Sequence, residues 1–316
     1  MSLSSEAVAT LSRVSTGTIT TVLLKKGLRN IWMRGTKPLK SGQPRLVRLG
    51  NLKWPALALC CFVLLNPIIL PYGALLNAAL SPVASQFVTL KTATLHNIYF
   101  VFYELSATKL AVQNTVILGV LTATIGTVLA VVISYLTTRE AVRGHRVLNF
   151  LATAPVAIPG IVLGVGLFLT YTQPPFVLYG TLWILLIAFI TISLPAAYQQ
   201  LQSAFRSVHP ELEDASRILG ATRLKALRQI TAPLLRTSVI ATWCFIFVGT
   251  IRELSAAVML FTSETKVVSV LIFDLNESGD LAAISVLGIM MLTITFAVVI
   301  AVNRIPGFGS VRLRNA

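Results

Sequence analysis

Apolar residues in this chain fall into six long blocks separated by shorter polar or basic stretches: Trp54–Leu76, Asn114–Leu136, Val147–Tyr171, Leu178–Gln200, Pro233–Ile251 and Leu281–Val302. At 1.5 Å per residue each block is long enough to cross a hydrocarbon layer of about 30 Å, so the pattern predicts six membrane-spanning helices. Pro67 and Pro71 predict a kink in the first. Small residues recur along the second at Gly119, Thr122, Gly126 and Ala130, a spacing that lets another helix approach closely. The third block carries Pro155, Pro159 and Gly160 near its middle. Backbone groups freed by such a break are tolerated only where protein or a water-filled cavity satisfies them, so these residues are candidates for a translocation pathway; a plain packing kink is the other reading. The mixed segment 77–113 reads as an outer loop with room for a short extra helix.

Composition agrees with the pattern. Hydrophobic residues make up 55% of the 316 positions, charged residues only 12%, and mean hydropathy is +0.80, which places the chain among polytopic membrane proteins. The formal charge of +15 is spread over the ends of the apolar blocks and forms no patch interleaved with aromatics, so topology accounts for it better than nucleic acid does. With Arg139, Arg143 and Arg146 in one loop, a basic segment between blocks four and five, and Arg304, Arg312 and Arg314 at the end, six spans with both termini cytoplasmic satisfy the basic bias of every loop. The expected organisation is a basic cytoplasmic tail or linker over 1–53, a six-helix transmembrane domain over 54–303 and a cytoplasmic tail over 304–316. Within the first tail, Ile19–Trp32 suits either a membrane-surface helix or a disordered basic segment held near anionic lipid. It lacks the apolar core of a secretory signal.

Little in the sequence points to catalysis. Cys60, Cys61 and Cys244 lie inside apolar blocks and read as small hydrophobes, His96, His145 and His209 are isolated, and no metal-ligand spacing appears. There is no phosphate-loop motif, so the chain is expected to be no enzyme, to bind no cofactor of its own and to leave any ATP hydrolysis to a partner.

The long charged interruption, Pro210–Pro233, carries strong local signals. Pro210 fits the first helical position, and Glu211, Glu213 and Asp214 complement the positive end of the helix dipole. Leu212, Ala215 and Leu219 form a short apolar stripe, and Gly220 supplies the stop. Arg217, Arg223, Lys225 and Arg228 put this short helix on the cytoplasmic side, where an amphipathic segment suits the groove of a partner protein. On the other side, Arg252 and Glu253 follow the fifth block near the outer boundary, placed to guide substrate or close a gate, or else to serve as interfacial anchors. Beyond them Glu264, Asp274, Glu277 and Asp280 outnumber Lys266, giving an acidic outer segment.

The spacing Asp214-Ala215-Ser216, Gly220, Ile230, Pro233 resembles the EAA loop of permease subunits from binding-protein-dependent ABC importers, with Asp for Glu, Ser for the second Ala and Ala232 for Leu. The resemblance covers roughly 37–303. APVAIPGIVLGVGLF at 154–168 resembles the Pro-rich span of these permeases, and RELSAAVMLFTSETKVVSVLIFDL at 252–275 resembles the ferric-iron branch, which shades into phosphonate and thiamine permeases. Many members of that branch fuse two halves, and this chain resembles a second half standing alone. The resemblance implies an all-α membrane protein of the type I importer fold with six transmembrane helices and a cytoplasmic coupling helix, in a bacterial inner membrane. It also implies ATPase subunits that use ATP, a second permease half (itself or a homologue) and a periplasmic or lipid-anchored substrate-binding protein as partners. Leu212, Asp214, Ala215, Ser216, Leu219, Gly220, Ile230 and Pro233 would serve ATPase coupling, and Pro155, Pro159, Gly160, Arg252 and Glu253 the pathway. A secondary transporter or channel, or a half-permease that no longer transports, are the competing readings.

Overall fold

The computed structural model describes residues 52–304 apart from 84, 85 and 90. The expectations for the two terminal tails fall almost wholly outside these residues. Helix α1 spans Lys53–Leu80 and continues through Pro67 and Pro71. The chain divides inside it into two compact units, Met1–Asn66 and Pro67–Ala316, and the helical bundle belongs to the second. No strand occurs among the described residues.

After α1 come α2 (His96–Tyr99) with a π turn over Phe100–Glu104, and α3 (Ser106–Thr138). Next are α4 (His145–Thr153), α5 (Gly160–Tyr171), α6 (Leu182–Ser207) and α7 (Pro210–Ile218). Helix α8 (Arg223–Ala226) runs through a second π turn, Leu227–Thr231, into α9 (Ala232–Ile251). Short α10 (Ala257–Leu260), α11 (Val268–Ser278) and α12 (Leu281–Asn303) complete the order. Among the described residues five helical stretches are long and apolar enough to cross a membrane, and α4 with α5 makes a sixth only as a bent pair.

Three helices, α3, α6 and α9, form the centre. The small-residue stripe of α3 is buried. A Cβ at Gly119 would lie 3.0 Å from the Phe247 ring, and one at Gly126 would lie 3.3 Å from Ile246, so glycine is what lets α9 sit this close. Ala123, Ala130, Ala197, Leu201, Ile246 and Phe247 fill the contact. At the end of the bundle that carries Arg139, Tyr198 is fully buried and its hydroxyl sits 3.0 Å from Thr137 Oγ1 and 2.7 Å from Asn149 Oδ1, joining α6 to α3 and α4. This end is called the basic end below.

Two expectations are corrected, and the break expected in the third span is observed. The second span begins at Ser106, eight residues earlier than its apolar block, because Ala107, Ala111 and Val112 of its first turns pack in one cluster with Phe100 and Val101 of the π turn. In the third, α4 and α5 meet at 107°. Pro159 drives Ile158 into extended geometry (φ −102°, ψ 119°), as expected for a residue before proline, and is itself extended (ψ 139°), so the helix restarts only at Gly160. Last, the middle of the acidic outer segment is core. Val267, Val268, Val270 and Leu271 are buried, and Asn114 of α3 donates to the carbonyls of Glu264 and Lys266, both at 3.0 Å. Thr115 Oγ1 accepts the Val268 N–H at 2.8 Å, so α3 fixes this segment by hydrogen bonds 150 residues away in sequence. Its carboxylates are partly structural: Asp274 pairs with Lys266 at 2.7 Å, and Asp280 caps α12 through the Ala283 N–H at 2.9 Å.

Gly119→Leu should overpack the α3–α9 contact and destabilise the fold by about 1–3 kcal/mol. The measurement is thermal unfolding in detergent, with Gly73→Ala as control because a Cβ at Gly73 meets nothing within 4 Å. Equal melting of the two variants would refute the close-approach account.

Candidate functional site

Helix α7 is held at both ends by local chemistry. His209 is extended, Pro210 opens the first turn, and Glu211 and Glu213 lie in that turn. At the other end Gly220 adopts φ +90°, with its N–H bonded to the Arg217 carbonyl (3.0 Å) and the Ala221 N–H to the Ser216 carbonyl (3.1 Å). This is the paired 5→2 and 6→1 closure of a Schellman stop, which requires a left-handed residue. Thr222 then caps α8 by accepting the Lys225 N–H at 3.3 Å.

What ties α7 to the bundle is Glu213. Its Oε1 accepts from Arg139 Nε at 3.1 Å and from Thr231 Oγ1 at 2.8 Å, and Arg139 Nη2 completes the ion pair at 3.0 Å. Arg139 also donates to the Val208 carbonyl at 3.0 Å. Both charged side chains are only 11% exposed. One carboxylate therefore joins α7 to the end of α3 and to the π turn that leads into α9, and Arg139 ties in the connection before α7. A sequence reading counts Glu213 merely as a dipole partner and Arg139 as a topology marker, since residues 74 apart give no local sign of pairing.

The stripe expected to be apolar faces away from the bundle. Leu212 is 46% exposed, Ile218 86% and Leu219 89%. Asp214 and Ala215 are exposed, Ser216 is half-buried, and the Asp214–Arg217 pair at 3.2 Å is a surface contact of little energetic weight. Ile230 is half-buried in the π turn, and Pro233 is exposed in the first turn of α9. Ile218, which the stripe omitted, belongs to the same free face.

At the opposite end of α9 the bend in the third span meets Glu253. A Cβ at Gly160 would lie 3.0 Å from Ser255 Cβ, 3.5 Å from Glu253 Oε1 and 3.6 Å from Ile192 Cδ1, so a side chain here would crowd Ser255 while the carboxylate sits at ordinary contact distance. Glu253 Oε1 accepts the N–H groups of Ser255 at 3.0 Å and Ala256 at 3.4 Å, while its carbonyl accepts from Ser269 Oγ at 2.8 Å. The same residue lines a cavity of about 150 Å³ with Phe189, Ile192, Ser193, Phe245 and Gly249. Arg252 is exposed and makes no ion pair among the described residues. The structure thus brings Gly160 and Glu253 together and separates Arg252 from them. Pro155 and Pro159 shape the bend from half-buried and exposed positions.

A basic end with a clamped helix, a bent span and a three-helix core has counterparts among known proteins. Residues 126–306 match the family described as binding-protein-dependent transport system inner membrane component. The chain belongs to this family. Its members are transport components, not enzymes. Among curated relatives, the ferric transport system permease protein FbpB of Actinobacillus pleuropneumoniae is 26% identical over 61% of this chain and 28% of its own length. The putative 2-aminoethylphosphonate transport system permease protein PhnV of Salmonella paratyphi A is 27% identical over 52% of this chain and 62% of its own. The chain therefore spans less than two thirds of either relative. A chain of a bacterial alginate ABC transporter, solved in complex with a pentasaccharide-bound periplasmic protein, superposes with a TM-score of 0.63 over 80% of this chain and 93% of that one, at 17% identity. That likeness gives the fold: an all-α membrane domain of the type I importer class.

Removing either member of the buried pair should be costly, about 3–5 kcal/mol, because the other is left charged and unpaired. Arg139→Gln and Glu213→Gln should each lower the melting temperature and speed tryptic cleavage after Arg217, while the double variant should lose much less than their sum. Strictly additive losses would show that the two side chains do not act on one another.

Proposed function

We propose that this chain is the permease subunit of an ATP-driven importer in a bacterial inner membrane, with the basic end and both termini cytoplasmic. Helix α7 couples it to an ATPase subunit. The observation that carries this reading is the opposition of faces on α7: Glu213 is locked into the bundle while Leu212, Ile218 and Leu219 point outward. A short helix that exposes leucine and isoleucine at a rigid mount is fit to seat in a groove and to pass a push inward. Asp214, Ala215, Ser216 and Gly220 shape that face and its stop, and Ile230 and Pro233 set the entry of α9.

On this reading ATP is used by the partner, and closure of the ATPase subunits moves α7. A second permease half, this chain or a homologue, completes the membrane path, and a periplasmic or lipid-anchored binding protein delivers cargo. The bend at Pro155, Pro159 and Gly160, with Glu253 against it and Arg252 beside it, belongs to the path. The cargo we infer is ferric iron, supported by the FbpB relative and by the 252–275 stretch. The PhnV relative, at similar identity, favours a phosphonate as second reading.

Ile218→Asp with Leu219→Asp should abolish co-purification with the ATPase subunit and ATP-dependent uptake while leaving thermal melting unchanged, because both side chains are exposed. Retention of the ATPase by this variant would sink the coupling role. An absence of any ATPase partner for the unaltered chain would favour a gradient-driven transporter, a channel or a remnant. Reconstituted uptake of ferric iron against 2-aminoethylphosphonate decides the cargo independently.

A further inference from the structure

The basic end of the bundle carries a second feature that coupling does not use. Between α3 and α9 lies a groove of about 610 Å³, within the size range of ligand sites, walled by Val128, Val132, Leu235 and Val239. Its only charged lining residues are Arg228 and Arg236. Both are exposed, and neither pairs with a carboxylate among the described residues.

The two arginines share the groove because of the π turn over Leu227–Thr231. Eight residues along an ordinary α-helix leave two side chains about 80° apart around the axis, at 3.6 residues per turn. A π turn absorbs one residue, and the remaining seven bring them to within about 20°. The turn thus stacks two cations at the mouth of an apolar slot that runs along membrane-spanning helices.

We propose that this groove binds an anionic phospholipid of the cytoplasmic leaflet, with the phosphate between Arg228 and Arg236 and an acyl chain along the valine wall. Two observations select this occupant. Guanidinium groups recognise phosphate in forked geometry, and basic pockets between spans on the cytoplasmic side suit acidic headgroups. A second copy of this chain is the other candidate occupant, since Glu211 and Asp214 lie in the same cytoplasmic segment as Arg228, and the dimer mass in the test below separates it from lipid. The assignment depends on the basic loops being cytoplasmic and stands apart from the transport reading.

Native mass spectrometry of the full chain in mild detergent tests it, with phosphatidylglycerol, phosphatidylcholine or glycerol phosphate added. Phosphatidylglycerol should stay bound at a concentration at least tenfold below that needed for phosphatidylcholine. Arg228→Gln with Arg236→Gln should remove that preference, at about fivefold for each arginine near an anionic surface, while Arg228→Lys with Arg236→Lys should keep most of it. Both variants should melt like the unaltered chain, and if the glutamine variant melts lower, its loss counts only where the lysine variant retains lipid. Equal binding of the two lipids, a preference untouched by the glutamine variant, full competition by glycerol phosphate, or a dimer mass that the glutamine variant abolishes in place of lipid adducts would each overturn the proposal.

Discussion

The buried contact between Arg139 and Glu213 is what the basic end depends on. Helix α7 has nine residues, too few to be stable alone in water, and its apolar side chains face away from the bundle. Neither propensity nor hydrophobic burial therefore fixes its position. Desolvating the two charges costs several kcal/mol, and the contact offsets this only because the carboxylate accepts from both Arg139 and Thr231 and the guanidinium also reaches the Val208 carbonyl. A hydrophobic pair could be as stable. The ion pair adds direction: its short, oriented bonds define one placement of α7, whereas packed leucines would tolerate sliding.

The same economy of backbone irregularity recurs at both ends of α9. The π turn before it ends at Thr231, which bonds Glu213, and Leu235 one turn further on packs against Phe205 from the same face of the helix. An uninterrupted helix would rotate Leu227 and Arg228 by about 100° relative to these contacts. At the far end, the extended Ile158–Pro159 pair removes the third span from helical geometry and leaves Gly160 facing Glu253. Ser255, Glu253 and Ile192 lie against Gly160, while Ile158 and Pro159 themselves stay exposed.

What could be read from sequence was what local signals encode. Pro210, the first-turn acids and Gly220 delimit α7 to within two residues, because caps and stops act over a single turn. The small stripe on α3 identified a face that the structure buries, since helix approach is limited by the residues at the contact. The partners of those faces were not legible. Glu213 finds Arg139 across 74 positions, and Asn114 finds the 264–266 backbone across 150. The outer segment looked like a solvated acidic loop because its carboxylates are conspicuous and the hydrogen bonds that fold Val267–Leu271 inward are not. The outward direction of Leu212 and Leu219 was expected from their place in a charged cytoplasmic segment, but the stripe alone did not include Ile218.

These features meet in α9. It starts beside the anchor of α7 and ends one residue before Arg252, and its 20 residues cover about 30 Å at 1.5 Å each. Along that length Phe247 and Ile246 are locked against Gly119 and Gly126 at van der Waals limits, so α9 and α3 can move together but hardly past one another. A displacement applied at Glu213 enters both helices at once, through Arg139 into α3 and through Thr231 into α9. On the coupling reading, the rigid pair then delivers it to the Glu253–Gly160 contact, where the break between α4 and α5 leaves backbone able to respond. On that reading the tight glycine contacts would transmit the displacement and the break at Ile158–Pro159 would be where the third span bends in response.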